Sequence, residues 1–318
     1  MSVCTIDEGA YPKVFPAVDG ADNMRSQRSS RGVLQEPPKN GETKMAKLRD
    51  KFWIWGQDPG CHHLNPAGVN GYNLPGENRM DAREGCDFLG IGRCCRVTMW
   101  TGPFPPFDGE AEKIKDLDEV VWSAIGAGGV KQHNDDKSDL EEVLRMAEIH
   151  PNVSGAVLDD FFTSVEFADT KPARHSVGSI RNMRDRLHGF EKRKLDLWMV
   201  WYSYQLDFDV QDYIDLTDVV TLWVWKGSDL ADLDTHIGKV LKRAPAKRRL
   251  AGCYMWNYGE QKPLSMDDMK YQCEKYHDWI RKGWIEGVVF CSNCICDIGL
   301  DTVEWTRDWI AEIGDEEV

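Results

Sequence analysis

No run of about 20 apolar residues, the length a membrane helix needs, occurs in this sequence. Met1 to Val14 contain no basic stretch leading into an apolar one, so the start does not read as a secretory signal. Basic residues are in deficit. The 318 residues carry 39 Lys and Arg against 53 Asp and Glu, a formal charge of −14. A nucleic acid or an anionic membrane calls for basic surface, so neither is expected as a partner. Nucleotide-phosphate cradles are missing too: no G-x-G-x-x-G follows the first strand and no G-x-x-x-x-G-K-[ST] occurs. The run Gly126-Ala127-Gly128-Gly129 is too weak to stand in for either. The ten cysteines are scattered and unframed. With no export signal they read as reduced thiols of a cytoplasmic protein. Cys291-x-x-Cys294-x-Cys296 has no second ligand pair at zinc spacing, so no metal and no cofactor are expected.

What is present is a long alternation of strand and helix. Residues 17–45 are rich in Arg, Ser, Gly, Pro and Asn, and residues 1–48 read as an extended or disordered arm. Such an arm can wrap a neighbouring subunit, which would make a homo-oligomer. Residues 49–318 read as the catalytic domain. Strands are expected at Phe52–Trp55, Phe88–Ile91 (with Arg96–Trp100 as a continuation), Val120–Ile125, Gly155–Leu158, Leu195–Tyr202, Val219–Trp225, Leu250–Trp256 and Gly287–Cys291. Amphipathic helical patterns lie between them, such as Leu140, Val143, Leu144 and Ala147, capped by Ser138 or Asp139, or Val177, Ile180, Met183 and Leu187 within 172–192. The strands are short and nearly all apolar, the pattern of parallel strands covered on both faces. Eight such units in about 265 residues predict a (β/α)8 TIM barrel.

A barrel of this kind keeps its chemistry at the C-terminal ends of its strands. Those ends carry Trp55-Gly56-Gln57-Asp58, Arg93, Trp100, Trp122, Asp159-Asp160, Tyr202-Ser203-Tyr204, Trp223-Val224-Trp225-Lys226 and Trp256-Asn257-Tyr258-Gly259-Glu260. His62 and His63 follow the first strand and His133 the third. Nine of the thirteen tryptophans lie in strands or just after them. A pyranose offers an apolar C–H face that stacks on indole and hydroxyls that need paired donors and acceptors, so this composition suits a small carbohydrate. Since alternate strand residues point outward, about four of the nine tryptophans are expected in the pocket.

Asp159 and Asp160 are the sharpest feature. Two carboxylates directly after an apolar strand are costly core residues, so at least one is expected to be catalytic or to bind substrate. Glycoside hydrolysis needs two carboxyl groups. Asp159 and Asp160 are the first candidates, Glu260 the distant partner across the mouth, and Asp58 the next. Trp55, Gln57, His62, Arg93, Trp100, Trp122, Tyr202, Tyr204, Trp223, Trp225, Lys226, Trp256, Asn257 and Tyr258 are expected to join Asp58 in binding substrate.

The segment Gly155-Ala156-Val157-Leu158-Asp159-Asp160-Phe161-Phe162 resembles the fourth-strand motif of several TIM-barrel glycoside hydrolases. The resemblance spans about residues 51–314 and implies an acid delivered by the fourth strand. The chain departs from the Asn-Glu pattern after strand four and from the D-x-x-D-x-D-x-E run of chitinase-like barrels. The leading expectation is a glycoside hydrolase acting on a small oligosaccharide or glycoside. The alternatives are a sugar isomerase, epimerase or lyase on the same fold, and a non-catalytic sugar-binding or interaction protein.

Overall fold

A computed structural model describes residues 46–65, 67–126 and 139–318. The arm expected over 1–45, and the expectations on Gly128, Gly129, His133 and Ser138, lie outside these residues. The arm was expected to reach residue 48, but Leu48 is already fully buried and its N–H donates to the Glu316 carbonyl at 2.8 Å.

Among the described residues, eight strands alternate with eight α-helices. They are β1 Phe52–Gly56, α1 Ala82–Leu89, β2 Arg93–Arg96, α2 Asp108–Ile114, β3 Glu119–Ile125, α3 Leu140–Ile149, β4 Val153–Leu158 and α4 Val177–His188. Then follow β5 Asp196–Tyr202, α5 Gln211–Ile214, β6 Val219–Trp223, α6 Leu233–Arg243, β7 Arg248–Tyr254, α7 Met266–Arg281, β8 Gly287–Cys291 and α8 Asp301–Ile313. Every strand pairs with its neighbours in parallel, and β1 closes on β8, with Phe52 opposite Val288 and Trp55 opposite Cys291. The expected (β/α)8 barrel is therefore the fold.

The second strand lies later than the sequence suggested. Phe88 belongs to α1, and the strand is Arg93–Arg96. The cause is a strong helix start. Asp81 accepts from the Glu84 N–H at 2.9 Å while Glu84 accepts from the Asp81 N–H at 2.9 Å, a reciprocal capping box. Gly90, at φ 66°, then ends the helix in a left-handed turn that glycine adopts without strain. The apolar run Phe88–Ile91 is thus a helix end and a turn. The short α2 carried too few apolar residues for its period to show.

Tryptophan fills the inside of the barrel. The Trp53 and Trp198 rings meet edge to face with centroids 4.8 Å apart, and Trp55 meets Trp223 at 5.2 Å. Their strands, β1 with β5 and β1 with β6, are not neighbours, so these contacts cross the interior. Trp223 needs space that only glycine leaves: a Cβ on Gly252 would stand 1.9 Å from its indole. Beneath this layer the N-terminal mouth is closed by charge pairs. Arg93 bonds Glu119 at 3.2 Å, and Arg248 bonds Asp196 at 2.7 Å. The two guanidinium groups also lie over Trp53 and Trp198.

Candidate active site

At the opposite mouth, the C-terminal strand ends enclose a cavity of about 630 Å³. Trp55 is the penultimate residue of β1, Asp159 and Asp160 follow β4, Tyr202 ends β5, Trp225 follows β6, Tyr254 ends β7 and Cys291 ends β8; all line this cavity. Loops add Gln57, His62, Tyr72, Met99, Phe162, Thr163, Ser164, Arg174, Tyr204 and Tyr258.

Asp159 continues the direction of β4 and is buried, with 5% of its surface exposed. Its carboxylate accepts from the Asp160 N–H at 3.0 Å. Burial, and next the neighbouring Asp160 carboxylate, push its pKa well above the ordinary value, outweighing that hydrogen bond and the Arg174 charge. Asp160 sits at φ 42°, in the left-handed region that aspartate tolerates better than most residues. This turn lets the second carboxyl reach the cavity too, where it accepts from the Tyr202 hydroxyl at 2.8 Å. Arg174 donates to the carbonyls of Gly126 at 2.6 Å and Asp159 at 3.3 Å, so it braces the backbone around the pair.

The remaining wall is largely aromatic. Tyr202 stacks on Tyr204 at 5.4 Å, and Trp225 on Tyr258 at 5.9 Å. Tyr72 meets Tyr258 edge to face at 5.0 Å. Burial, then the Asp160 charge, raises the Tyr72 and Tyr204 phenols to about 12, so both stay neutral donors. His62 Nδ1 lies 2.8 Å from the Tyr258 hydroxyl, and burial, followed by the charge of His63, pushes its pKa down to about 3. Gln57 is held by Asn293, whose side chain bonds both its N–H at 2.8 Å and its carbonyl at 2.9 Å. The Gln57 Oε1 is buried with no protein donor, an acceptor that a ligand hydroxyl can satisfy.

Nine expected site residues therefore meet at this cavity: Trp55, Gln57, His62, Asp159, Asp160, Tyr202, Tyr204, Trp225 and Tyr258. The others lie elsewhere. Arg93 begins its strand, and so belongs to the opposite mouth with Glu119. Asp58 pairs with the buried Arg96, which also bonds Glu110 at 2.8 Å. Trp122 points outward and stacks on Phe107 at 4.7 Å. Trp223 lies inside the barrel, its Nε1 donating to Thr221 Oγ1 at 2.8 Å. Trp100 and Trp256 brace loops by donating to the carbonyls of Cys61 at 3.3 Å and Tyr72 at 3.1 Å. Asn257 accepts from the N–H groups of Gly227 at 3.0 Å and Glu260 at 3.2 Å, fixing two turns. Lys226 precedes the turn Gly227–Asp232 and is not among the cavity's lining residues. Glu260 faces a second depression of about 600 Å³, bonded to Asn257 and 3.4 Å from Lys262. It is not brought to the aspartate pair, because a left-handed turn at Gln261 folds its segment back on Lys262.

Of the nine strand-associated tryptophans, Trp55 and Trp225 line the cavity, fewer than the four expected. Tyrosine takes their place. Tyr72, Tyr254, Arg174, Met99, Phe162, Thr163, Ser164 and Cys291 were missed. Tyr254 and Cys291 were legible as last residues of their strands; the loop residues carry no periodic signal. The structure also brings Cys61, His62 and Cys294 together, contrary to the spacing argument against a metal site.

No protein-family model and no curated protein matches the sequence. Solved structures do match. A Bacteroides thetaiotaomicron protein provisionally assigned as an alpha-L-fucosidase aligns over 86% of this chain and 99% of its own, with a TM-score of 0.51 and 10% identity. A β-glucuronidase from Ruminococcus gnavus aligns over 83% of this chain and 49% of its own, with a TM-score of 0.48 and 8% identity. The tryptophan synthase α-subunit of Pyrococcus furiosus aligns over 85% and 99%, with a TM-score of 0.44 and 10% identity. At such identities the likeness is one of fold. The class defined here is a (β/α)8 barrel of the kind glycoside hydrolases share with other enzymes, with an acidic, aromatic cavity at its C-terminal mouth.

Proposed function

We propose that this protein is a carbohydrate-active enzyme that hydrolyses a small oligosaccharide or glycoside in the cavity at the C-terminal mouth. The observation that carries the reading is the adjacent pair Asp159 and Asp160, opening together into an aromatic cavity of about 630 Å³. That volume suits one or two sugar rings. Trp225, Tyr258 and Tyr204 offer faces for the C–H side of a pyranose. Gln57 Oε1 and the neutral phenols offer partners for its hydroxyls.

Asp159 is the proton donor in this reading, because burial and the adjacent carboxylate favour its protonated form. It gives its proton to the leaving oxygen as the C–O bond breaks. Asp160, held by Tyr202, faces the positive charge that builds on the sugar ring. Water then adds through its oxygen to the anomeric carbon and its proton goes to the Asp159 carboxylate, which restores the acid for the next turnover. Glu260 has no part, since it faces the other depression.

The test is turnover of a panel of aryl glycosides by the wild type and by Asp159→Asn and Asp160→Asn. Each variant is expected to fold as the wild type does and to lose at least ~10²-fold in kcat. Full activity in both variants on a true substrate would overturn the acid assignment. Tight sugar binding without turnover by the wild type would favour a non-catalytic sugar-binding protein.

A further inference from the structure

Beside the cavity, three soft ligand groups converge that the proposed sugar chemistry does not use as such. Cys61 and His62 lie in the loop after β1, and Cys294 in the turn after β8. Because β1 and β8 pair in the closed sheet, these two segments leave the barrel side by side. The Cys61 and Cys294 sulfurs are 3.4 Å apart and both thiols are free. One ligand atom from each of Cys61, His62 and Cys294 lies within 4.8 Å of the other two, and all three residues are buried.

We propose that Cys61, His62 and Cys294 form a binding site for a thiophilic metal ion, with Zn²⁺ as its fitting occupant. Zinc bonds of about 2.3 Å to sulfur and about 2.0 Å to nitrogen, set tetrahedrally, place neighbouring ligand atoms about 3.5–3.8 Å apart. The three groups reach that spacing with small side-chain movements. Donor chemistry points the same way: two sulfurs and an imidazole select Zn²⁺ or Cu⁺ over Mg²⁺ or Ca²⁺. Charge does as well. Two thiolates neutralise a divalent ion, so the filled site suits a buried position. Its surroundings already orient the ligands. The Tyr258 hydroxyl lies 2.8 Å from His62 Nδ1, and the Cys294 N–H donates to Ser292 Oγ at 3.2 Å. Three protein ligands leave the fourth position to water. A bound ion ties the loop after β1 to the turn after β8 and fixes His62 in the cavity wall. The spacing pattern hid this site because its ligands lie 233 residues apart, and Cys291 and Cys296 take no part. The inference stands independently of the proposed sugar hydrolysis.

The test uses the full chain, kept reduced by a phosphine, stripped with a chelator and titrated with Co²⁺ and then Zn²⁺. One equivalent of Co²⁺ per chain is expected, with a thiolate-to-cobalt charge-transfer band and the visible bands of a tetrahedral site, both abolished by one equivalent of Zn²⁺. Cys61→Ser and Cys294→Ser should each weaken binding at least ~100-fold. Cys273→Ala, in the separate Cys253–Cys273 pair with sulfurs 4.0 Å apart, should leave it unchanged. Circular dichroism checks that the variants fold. Should either cysteine variant not fold, His62→Gln replaces it and must weaken binding and alter the visible bands. Failure of the wild type to bind one equivalent, or undiminished binding in the folded ligand variants, would overturn the site.

Discussion

Asp159 owes its chemistry to its place at the end of a buried strand. Burial and the Asp160 charge favour its protonated form, so turnover should fall as the pH rises through its elevated pKa. A pH profile of kcat over pH 4–9 checks this; a rate that climbs across the whole range would remove Asp159 as the acid. Stability carries the same signature. The folded state holds a proton that the unfolded chain releases near the ordinary aspartate value of 3.8. Stability contributed by this group therefore declines as the pH rises from 3.8 toward the elevated folded value. Asp159→Asn removes that decline, so its melting temperature relative to wild type should increase from pH 3.5 to pH 7. An offset that stays constant with pH would contradict the account. Asp159 and Asp160 were legible in the sequence because charge directly after an apolar strand has few structural explanations. Arg174 was not, because its importance rests on reaching back to the Gly126 and Asp159 carbonyls from a loop with no period of its own.

Among elements, the segment after β1 depends on Arg96. This buried guanidinium bonds Asp58 and Glu110 and donates to the carbonyls of Gly56 at 3.3 Å and Val97 at 3.2 Å. It ties the end of β1 to α2. Arg96→Ala leaves the part-buried Asp58 carboxylate without its ion-pair partner. It also takes one donor each from Glu110 and the Gly56 and Val97 carbonyls, although Lys113 still donates to Glu110 at 2.8 Å and the Val97 N–H to the Gly56 carbonyl at 2.8 Å. The substitution should cost about 3 kcal/mol in urea unfolding. A loss under about 0.5 kcal/mol would show that the cluster is only a surface ion pair. The sequence placed Asp58 at the cavity because it follows a strand directly. It showed nothing of the partner thirty-eight residues on that turns the carboxylate aside. The second strand was misplaced for a related reason. Phe88, Leu89 and Ile91 imitate a strand, and only the capping box and Gly90 disclose that the helix runs on to Leu89.

For the whole molecule, the eight-fold repeat of buried strand and amphipathic helix made the barrel legible. What the repeat does not show is which face of each strand points inward at the closed mouth. The tryptophans illustrate this. Trp53, Trp198 and Trp223 are strand residues like Trp55, yet they pack inside the barrel below the cavity. That packing leaves little free volume at the axis. Gly252→Ala would set a methyl 1.9 Å from the Trp223 indole and should cost about 1–3 kcal/mol, with a lower melting temperature. An unchanged melt would mean that the interior is looser than the ring contacts indicate. Because Trp223 also meets Tyr254 at 5.0 Å, the same variant should weaken sugar binding.

The proposed function requires that one cavity bring a sugar ring to the Asp159–Asp160 pair. A crystal structure of Asp159→Asn soaked with a slowly cleaved glycoside tests it most directly. The predicted result is a pyranose stacked against Trp225 or the neighbouring tyrosines. Its glycosidic oxygen should lie within hydrogen-bond reach of residue 159, with Asp160 beside the anomeric carbon. A sugar bound instead at the depression holding Glu260, or in the cavity with its glycosidic bond turned away from both positions, would contradict the account.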